Sequence, residues 1–184
     1  MNYLKLNFLV GILAIMQGIA IAQTPSAEIV LKKAYSTAEK EHKNVIVIFH
    51  ASWCGWCHKM DSCIYDKSCS KLFADNYIIC HLTVDESKGK EQLENPGASE
   101  FRKKYNGDKV GIPFFLIFNG EGKLLADSKM RTDGAGPDEA GENMGCPASK
   151  AEVAYFVKVL KQTSRLTDPQ LDIIAKRFRQ NERN

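Results

Sequence analysis

The chain has 184 residues, enough for one domain with a sizeable core plus short additions. A formal net charge of +3, with no basic stripe interleaved with aromatics, argues against a nucleic-acid partner. Six cysteines are chemically at home in an exported protein.

Residues Met1 to Ala22 read as a processing signal. Lys5 supplies the positive start, Phe8 to Ile19 the apolar stretch, and Ala20-Ile21-Ala22 the small-x-small cleavage pattern, so the mature chain is expected to begin at Gln23. A retained membrane anchor is the alternative, against which the apolar stretch is short for a span. No cysteine follows that stretch closely, so lipidation is not indicated, and the expected location is the periplasm or an equivalent exported space.

Thr24-Pro25-Ser26 starts a helix in which Ile29, Val30, Ala34 and Ala38 recur at helical spacing. Val45-Ile46-Val47-Ile48-Phe49 is an unbroken β-branched run, as in a strand buried on both faces. A helix from Cys54 to about Ile64 follows. Asp66 is the expected N-cap of a short helix through Ala74. Tyr77 to Val84 reads as a strand, Asp85 to Gly97 as a polar connection, and Ser99 to Tyr105 as helix. Phe114 to Phe118 is a second strongly apolar strand, and Asn119-Gly120-Glu121-Gly122 turns it into a hairpin with Lys123 to Asp127. Thr132 to Ser149 is expected to be a long loop, matching neither a phosphate-binding nor a calcium-binding pattern. Val153, Phe156, Val157 and Leu160 share a helical face, and Asp168-Pro169 caps a last helix with Leu171, Ile174, Ala175 and Phe178 inward. The expected division is a leader over 1–22, a domain over 23–165 and a helical extension over 166–184.

The chemistry concentrates at Trp53-Cys54-Gly55-Trp56-Cys57. Two cysteines at i and i+3 share one helical face and can close a disulfide with little backbone movement. Cys54 falls at the helix N-terminus, where orphan N–H groups and the dipole favour an anion, so its thiol should be acidic. The pair reads as a thiol–disulfide redox centre: Cys54 attacks, and Cys57 resolves. In this scheme Cys57 is expected to be the more buried sulfur. Half a zinc site is the rival. It would need Cys63, Cys69, His58 or His81 as further ligands, with no second paired motif to supply them. Trp53 and Trp56 are expected to form an apolar rim for substrate. His58 either stabilises a thiolate or is a solvated helix residue. Cys80 reads as an inert apolar residue in a buried strand. Cys63 and Cys69 could form a second disulfide, and Cys146 is left free or in reach of another thiol.

Ala51 to Met60, taken with Gly111-Ile112-Pro113, resembles the thioredoxin superfamily, in particular exported bacterial members with a Trp-Cys-Gly-Trp-Cys centre. The resemblance spans about Ala27 to Leu160. It implies an α/β three-layer sandwich, a mixed central sheet flanked by helices, and a cis bond before Pro113 lying against the cysteine pair. Ile112 would then offer its backbone to substrate; otherwise Pro113 simply opens a strand. The resemblance further implies protein disulfide substrates, no metal or other cofactor, a membrane-embedded thiol reductase as electron donor, and a monomer. Gly55, Trp56, His58 and His81 fall at positions that tune the couple. The buried carboxylate of better-known thioredoxins is replaced here by Ile48, and its lysine partner by His81, so that water, His81 or no relay at all serves the resolving proton. The rival function is a thioredoxin-fold chaperone or adaptor that binds through its hydrophobic rim.

Overall fold

A computed structural model describes residues 23–132, 134–136 and 139–183. The leader pattern over Met1 to Ala22 lies outside them. The two apolar runs form adjacent strands at the centre of a four-stranded sheet. β1 (Asn44–His50) pairs parallel with β2 (Tyr77–Thr83) and antiparallel with β3 (Phe114–Phe118), and β3 pairs antiparallel with β4 (Leu124–Asp127), giving the order β2-β1-β3-β4. Val45 to Phe49 and all of β3 are buried, as an unbroken apolar run requires when both faces of a sheet are covered.

Strand alternation sorts these side chains into two cores. Ile46 and Ile48 of β1, opposite Ile117 and Phe115 of β3, face one layer. That layer contains α2 (Gly55–Ile64), α3 (Ser70–Asn76), α5 (Lys150–Thr163) and α6 (Asp168–Arg179). Val45, Val47, Phe49, Phe114, Leu116 and Phe118 face the other, formed by α1 (Ala27–Glu41) and α4 (Ala98–Lys104). The three-layer α/β sandwich expected from the sequence is the observed architecture.

Several local expectations are corrected. Asp66 does not cap α3. Its carboxylate holds the N–H and hydroxyl of Ser68, and its carbonyl holds the N–H groups of Cys69 and Ser70. It therefore closes a turn, and α3 starts later, after Cys69. In α6 the N-cap is Thr167, whose N–H donates to Gln170 Oε1 at 2.9 Å, while Asp168 and Pro169 already lie in the first turn. The face expected of α5 packs on the core, with Val159 buried beside Val153, Phe156 and Leu160 and with Val157 partly buried. The long loop carries a short ribbon, in which β5 (Lys129–Met130) pairs antiparallel with β6 (Glu142–Asn143). The inward face expected of the last helix is observed: Leu171, Ile174 and Phe178 are buried in the same core as α2, α3 and α5, with Ala175 packed against it.

Cys80 is half-buried, because β2 is an edge strand. Burial still pushes its thiol up to about 12, and burial likewise pushes the Tyr77 hydroxyl, bonded to Thr163 Oγ1 at 2.7 Å, up to about 12. Both values exceed those of an unfolded chain, which therefore loses these protons first. Stability should be complete below about pH 9 and fall toward pH 12, by at most about 1.4 kcal/mol per pH unit for each group. Urea unfolding across that range checks this, and Cys80→Ala should make the decline shallower.

Candidate active site

The site begins where β1 ends. Strand pairing delivers the chain to Ala51, a short turn follows, and Cys54 becomes the N-cap of α2. Cys54 and Cys57 are joined by a disulfide. The geometry directs helix N–H groups at Cys54: its Sγ accepts from the Cys57 N–H at 3.2 Å, and its carbonyl accepts from Cys57 and His58. An anionic sulfur at this position would meet both a hydrogen-bond donor and the positive end of the helix dipole.

The expected contrast in burial is absent. Cys54 is 3% exposed and Cys57 2%, so in the disulfide form the two residues are equally enclosed. Ala51 and Ile112 pack around them. The difference between the two sulfurs lies in the N–H aimed at Cys54. Exposure is confined to the flanks: Trp53 is 56% and Trp56 47% accessible. Trp53 is pinned by its indole N–H, which donates to the Asp85 carbonyl at 2.8 Å. Lys59 Nζ sits 4.5 Å from the Trp56 ring centroid. Gly55 opens α2 with open space where a Cβ would stand, so contacts do not demand glycine there.

The loop before β3 closes the other side. The Ile112–Pro113 bond is cis, and the Ile112 carbonyl oxygen lies 3.7 Å from Cys54 Sγ. Asn143 of β6 secures this loop: its Nδ2 donates to the Gly111 carbonyl at 2.8 Å and to the Pro113 carbonyl at 3.2 Å. Its Oδ1 accepts from Ser128 Oγ at 2.6 Å. Glu86 plays the matching part beneath the cysteine turn, accepting from the Ser52 N–H at 2.6 Å and the Ser52 hydroxyl at 2.7 Å. Neither Asn143 nor Glu86 stands out in the sequence, because each acts across a long separation. An asparagine inside a Gly- and Pro-rich loop is the only cue.

The histidines behave differently from one another. His58 Nε2 lies 3.0 Å from the Ser52 carbonyl oxygen, so its ring braces the cysteine turn and is not aimed at a sulfur. His81 lies opposite Ile48 in the strand register, and its Nε2 is 2.8 Å from Asp61 Oδ1 on α2. His50 stacks beside it, ring centroids 4.9 Å apart, and lies 3.2 Å from Thr83 Oγ1. Burial and the neighbouring His81 lower the His50 pKa, against an opposing pull from Asp61 and Glu86. Asp61 and His50 were not anticipated. Asp61 places a carboxylate on α2, one turn beyond Cys57.

Cys63 and Cys69 do not form a second disulfide: both are free, buried thiols. Cys69 turns toward Ser68 Oγ, whereas Cys63 faces Asn181 and Arg177 of the C-terminal segment. No group of three or more His, Cys, Asp or Glu side chains among the described residues is arranged to hold a metal ion.

Residues 27–120 match the family model described as thioredoxin-like. Among solved structures, the chain is similar to a disulphide isomerase from Xylella fastidiosa Temecula1, with 25% identity, 55% of this chain and 72% of that one covered, and a TM-score of 0.45. It is also similar to DsbH Oxidoreductase, with 21% identity, coverage of 80% and 92%, and a TM-score of 0.42. A thioredoxin variant from Halobacterium salinarum NRC-1 shows 16% identity, coverage of 79% and 93%, and a TM-score of 0.41.

Proposed function

From the premise that this chain belongs to the thioredoxin-like family, we propose that it is a thiol–disulfide oxidoreductase exchanging disulfides with exported proteins through Cys54 and Cys57. The observation that carries this is the Cys54–Cys57 disulfide at the start of α2, with the Cys57 N–H on Cys54 Sγ and the Ile112 carbonyl facing the same sulfur.

Starting from the dithiol, the Cys54 thiolate attacks one sulfur of a substrate disulfide, and the other leaves as a thiolate. Cys57, once deprotonated, attacks Cys54 Sγ in the resulting mixed disulfide. The second substrate sulfur departs, and the Cys54–Cys57 bond forms. Two electrons pass from the cysteine pair to the substrate. The Trp53 and Trp56 rings supply apolar surface beside the reacting sulfur, and the backbone at Ile112 lies where an extended substrate segment would pass. The proton that Cys57 gives up can pass to water or toward the Asp61–His81 pair one turn further along α2.

The proposed direction is reduction or isomerisation, in the periplasm or an equivalent exported space. A membrane-embedded thiol reductase would restore the dithiol, and the protein would act as a monomer. The leader pattern over Met1 to Ala22 supports export. Equilibration of the mature chain with glutathione buffers tests the direction. A potential near about −270 mV is expected, and one near about −120 mV would make the protein an oxidant instead.

A further inference from the structure

Of the four free thiols, two meet inside the protein, far apart in sequence. Cys63 lies on the buried face of α2, in its last turn. Cys146 comes from the segment between β6 and α5. One amide bridges the two sulfurs, Asn181 Nδ2 lying within hydrogen-bond reach of both, and both residues are buried.

The C-terminal segment surrounds this pair with polar donors where a core would ordinarily place methyl groups. Asn181, itself buried, donates from Nδ2 to Cys63 Sγ at 3.2 Å, to Cys146 Sγ at 3.4 Å and to the Pro147 carbonyl at 3.3 Å. Its Oδ1 lies 3.5 Å from Cys63 Sγ as an acceptor. Arg177 Nη1 donates to Cys63 Sγ at 3.2 Å. The guanidinium is held in place from its other edges by Asp66 Oδ2, 2.9 Å from Nε, and by the Ser62 carbonyl, 3.3 Å from Nη2.

An amide and a guanidinium directed at one sulfur favour its thiolate. The neighbouring Cys146 thiol, with help from Asn181 and Arg177, draws the Cys63 thiol below its usual range despite burial. Cys63, reinforced by burial, drives Cys146 the other way. Cys69 and Cys80 are both raised, chiefly by burial. Cys63 is thus the polarised member of the four, with Cys146 bridged to it through Asn181.

We propose that Cys63 and Cys146 are a second thiol–disulfide couple, oxidised by hydrogen peroxide, in which Cys63 attacks and Cys146 resolves. The Cys63 thiolate attacks one peroxide oxygen, the O–O bond breaks, and hydroxide leaves to be protonated to water. The product is a sulfenic acid on Cys63. Cys146 then attacks Cys63 Sγ, the S–O bond breaks, and the hydroxyl departs with the Cys146 proton as a second water. Two thiols have lost two electrons and peroxide has gained them. The enclosure of both sulfurs selects an oxidant of this size over a glutathione-sized disulfide.

The bond would act on the architecture of the site. Cys146 follows directly on the stretch that secures the cis-proline loop, where Asn143 holds Gly111 and Pro113 and Gly145 lies against Pro113. Cys63 belongs to the helix that carries Cys54 and Cys57. Oxidation would therefore tie the helix that carries the first cysteine pair to the segment that secures the proline loop facing it.

The test uses the full chain carrying Cys54→Ser and Cys57→Ser, so its outcome does not depend on the chemistry of the first pair. The reduced protein is treated with hydrogen peroxide, the peroxide is removed, its remaining thiols are blocked with iodoacetamide in urea, and it is digested without reduction for mass spectrometry. The expected product is a peptide pair joined through Cys63 and Cys146. Adding Cys146→Ser should abolish it and leave a sulfenic acid on Cys63, trapped by dimedone once urea opens the oxidised protein. Arg177→Met should slow Cys63 oxidation several-fold, with Arg177→Lys restoring part of the rate. Urea should bring the Cys63 rate down to that of Cys80, an arm that holds even if an Arg177 variant fails to fold. The proposal is overturned if Cys63 stays blocked by iodoacetamide, if it reacts no faster than Cys80 in the folded chain, or if its partner is Cys69.

Discussion

Replacing Cys54 with Ser is expected to slow insulin reduction by the mature chain at least about a thousandfold, because a hydroxyl at the start of α2 cannot become the anion that attacks a disulfide. Cys57→Ser should fail differently. Cys54 keeps its nucleophile and its place by Ile112, so the first exchange proceeds and a mixed disulfide accumulates, visible as a mass increase removed by dithiothreitol. The pair of outcomes distinguishes the two sulfurs, which exposure does not: they are equally enclosed in the disulfide form. A chaperone acting only through the Trp53 and Trp56 rim would retain its cellular effect in both variants.

Phe178→Ala is expected to destabilise the fold by about 3–5 kcal/mol, the usual cost of removing a buried aromatic and leaving a cavity. Phe178 is fully buried, with ring centroids 5.0 Å from Phe156 and 6.4 Å from Phe73. Those neighbours cannot close the gap easily, because Phe156 also packs edge-on against Phe115 of the central sheet. Urea unfolding of the reduced protein measures the loss. A change below about 1 kcal/mol would mean that α6 is an outer decoration and not part of the core. The same helix carries Arg177 to Cys63, so its packing and the polarity of that sulfur are one structural fact.

The sequence made the centre of the molecule readable for a physical reason. Val45 to Phe49 and Phe114 to Phe118 are continuous apolar runs of strand length, and a sheet covered on both faces is what such runs satisfy. Trp53 to Cys57 was legible because its chemistry is local: three-residue spacing and a helix start are enough to specify it. What escaped notice acts at long range. Asn143 has meaning only once β6 is beside the proline loop, and Asp61 only once α2 lies over His81 on β2. Cys63 and Cys69 are close in sequence and suggested a pair. The turn closed by Asp66 instead sends Cys69 toward Ser68, while α2 points Cys63 at Cys146 and Asn181. Sequence separation was a poor guide there because the C-terminal segment returns to cover the helix end.

The most direct measurement is the ultraviolet absorbance of the Cys54 thiolate, followed against pH in the reduced chain, with Cys54→Ser supplying the baseline. An ordinary thiol ionises near about 8.5; the helix N-terminus around Cys54 should bring its midpoint clearly below that. A midpoint at or above about 8.5 would contradict the account, since the sulfur taken to begin the exchange would then gain nothing from the turn that holds it.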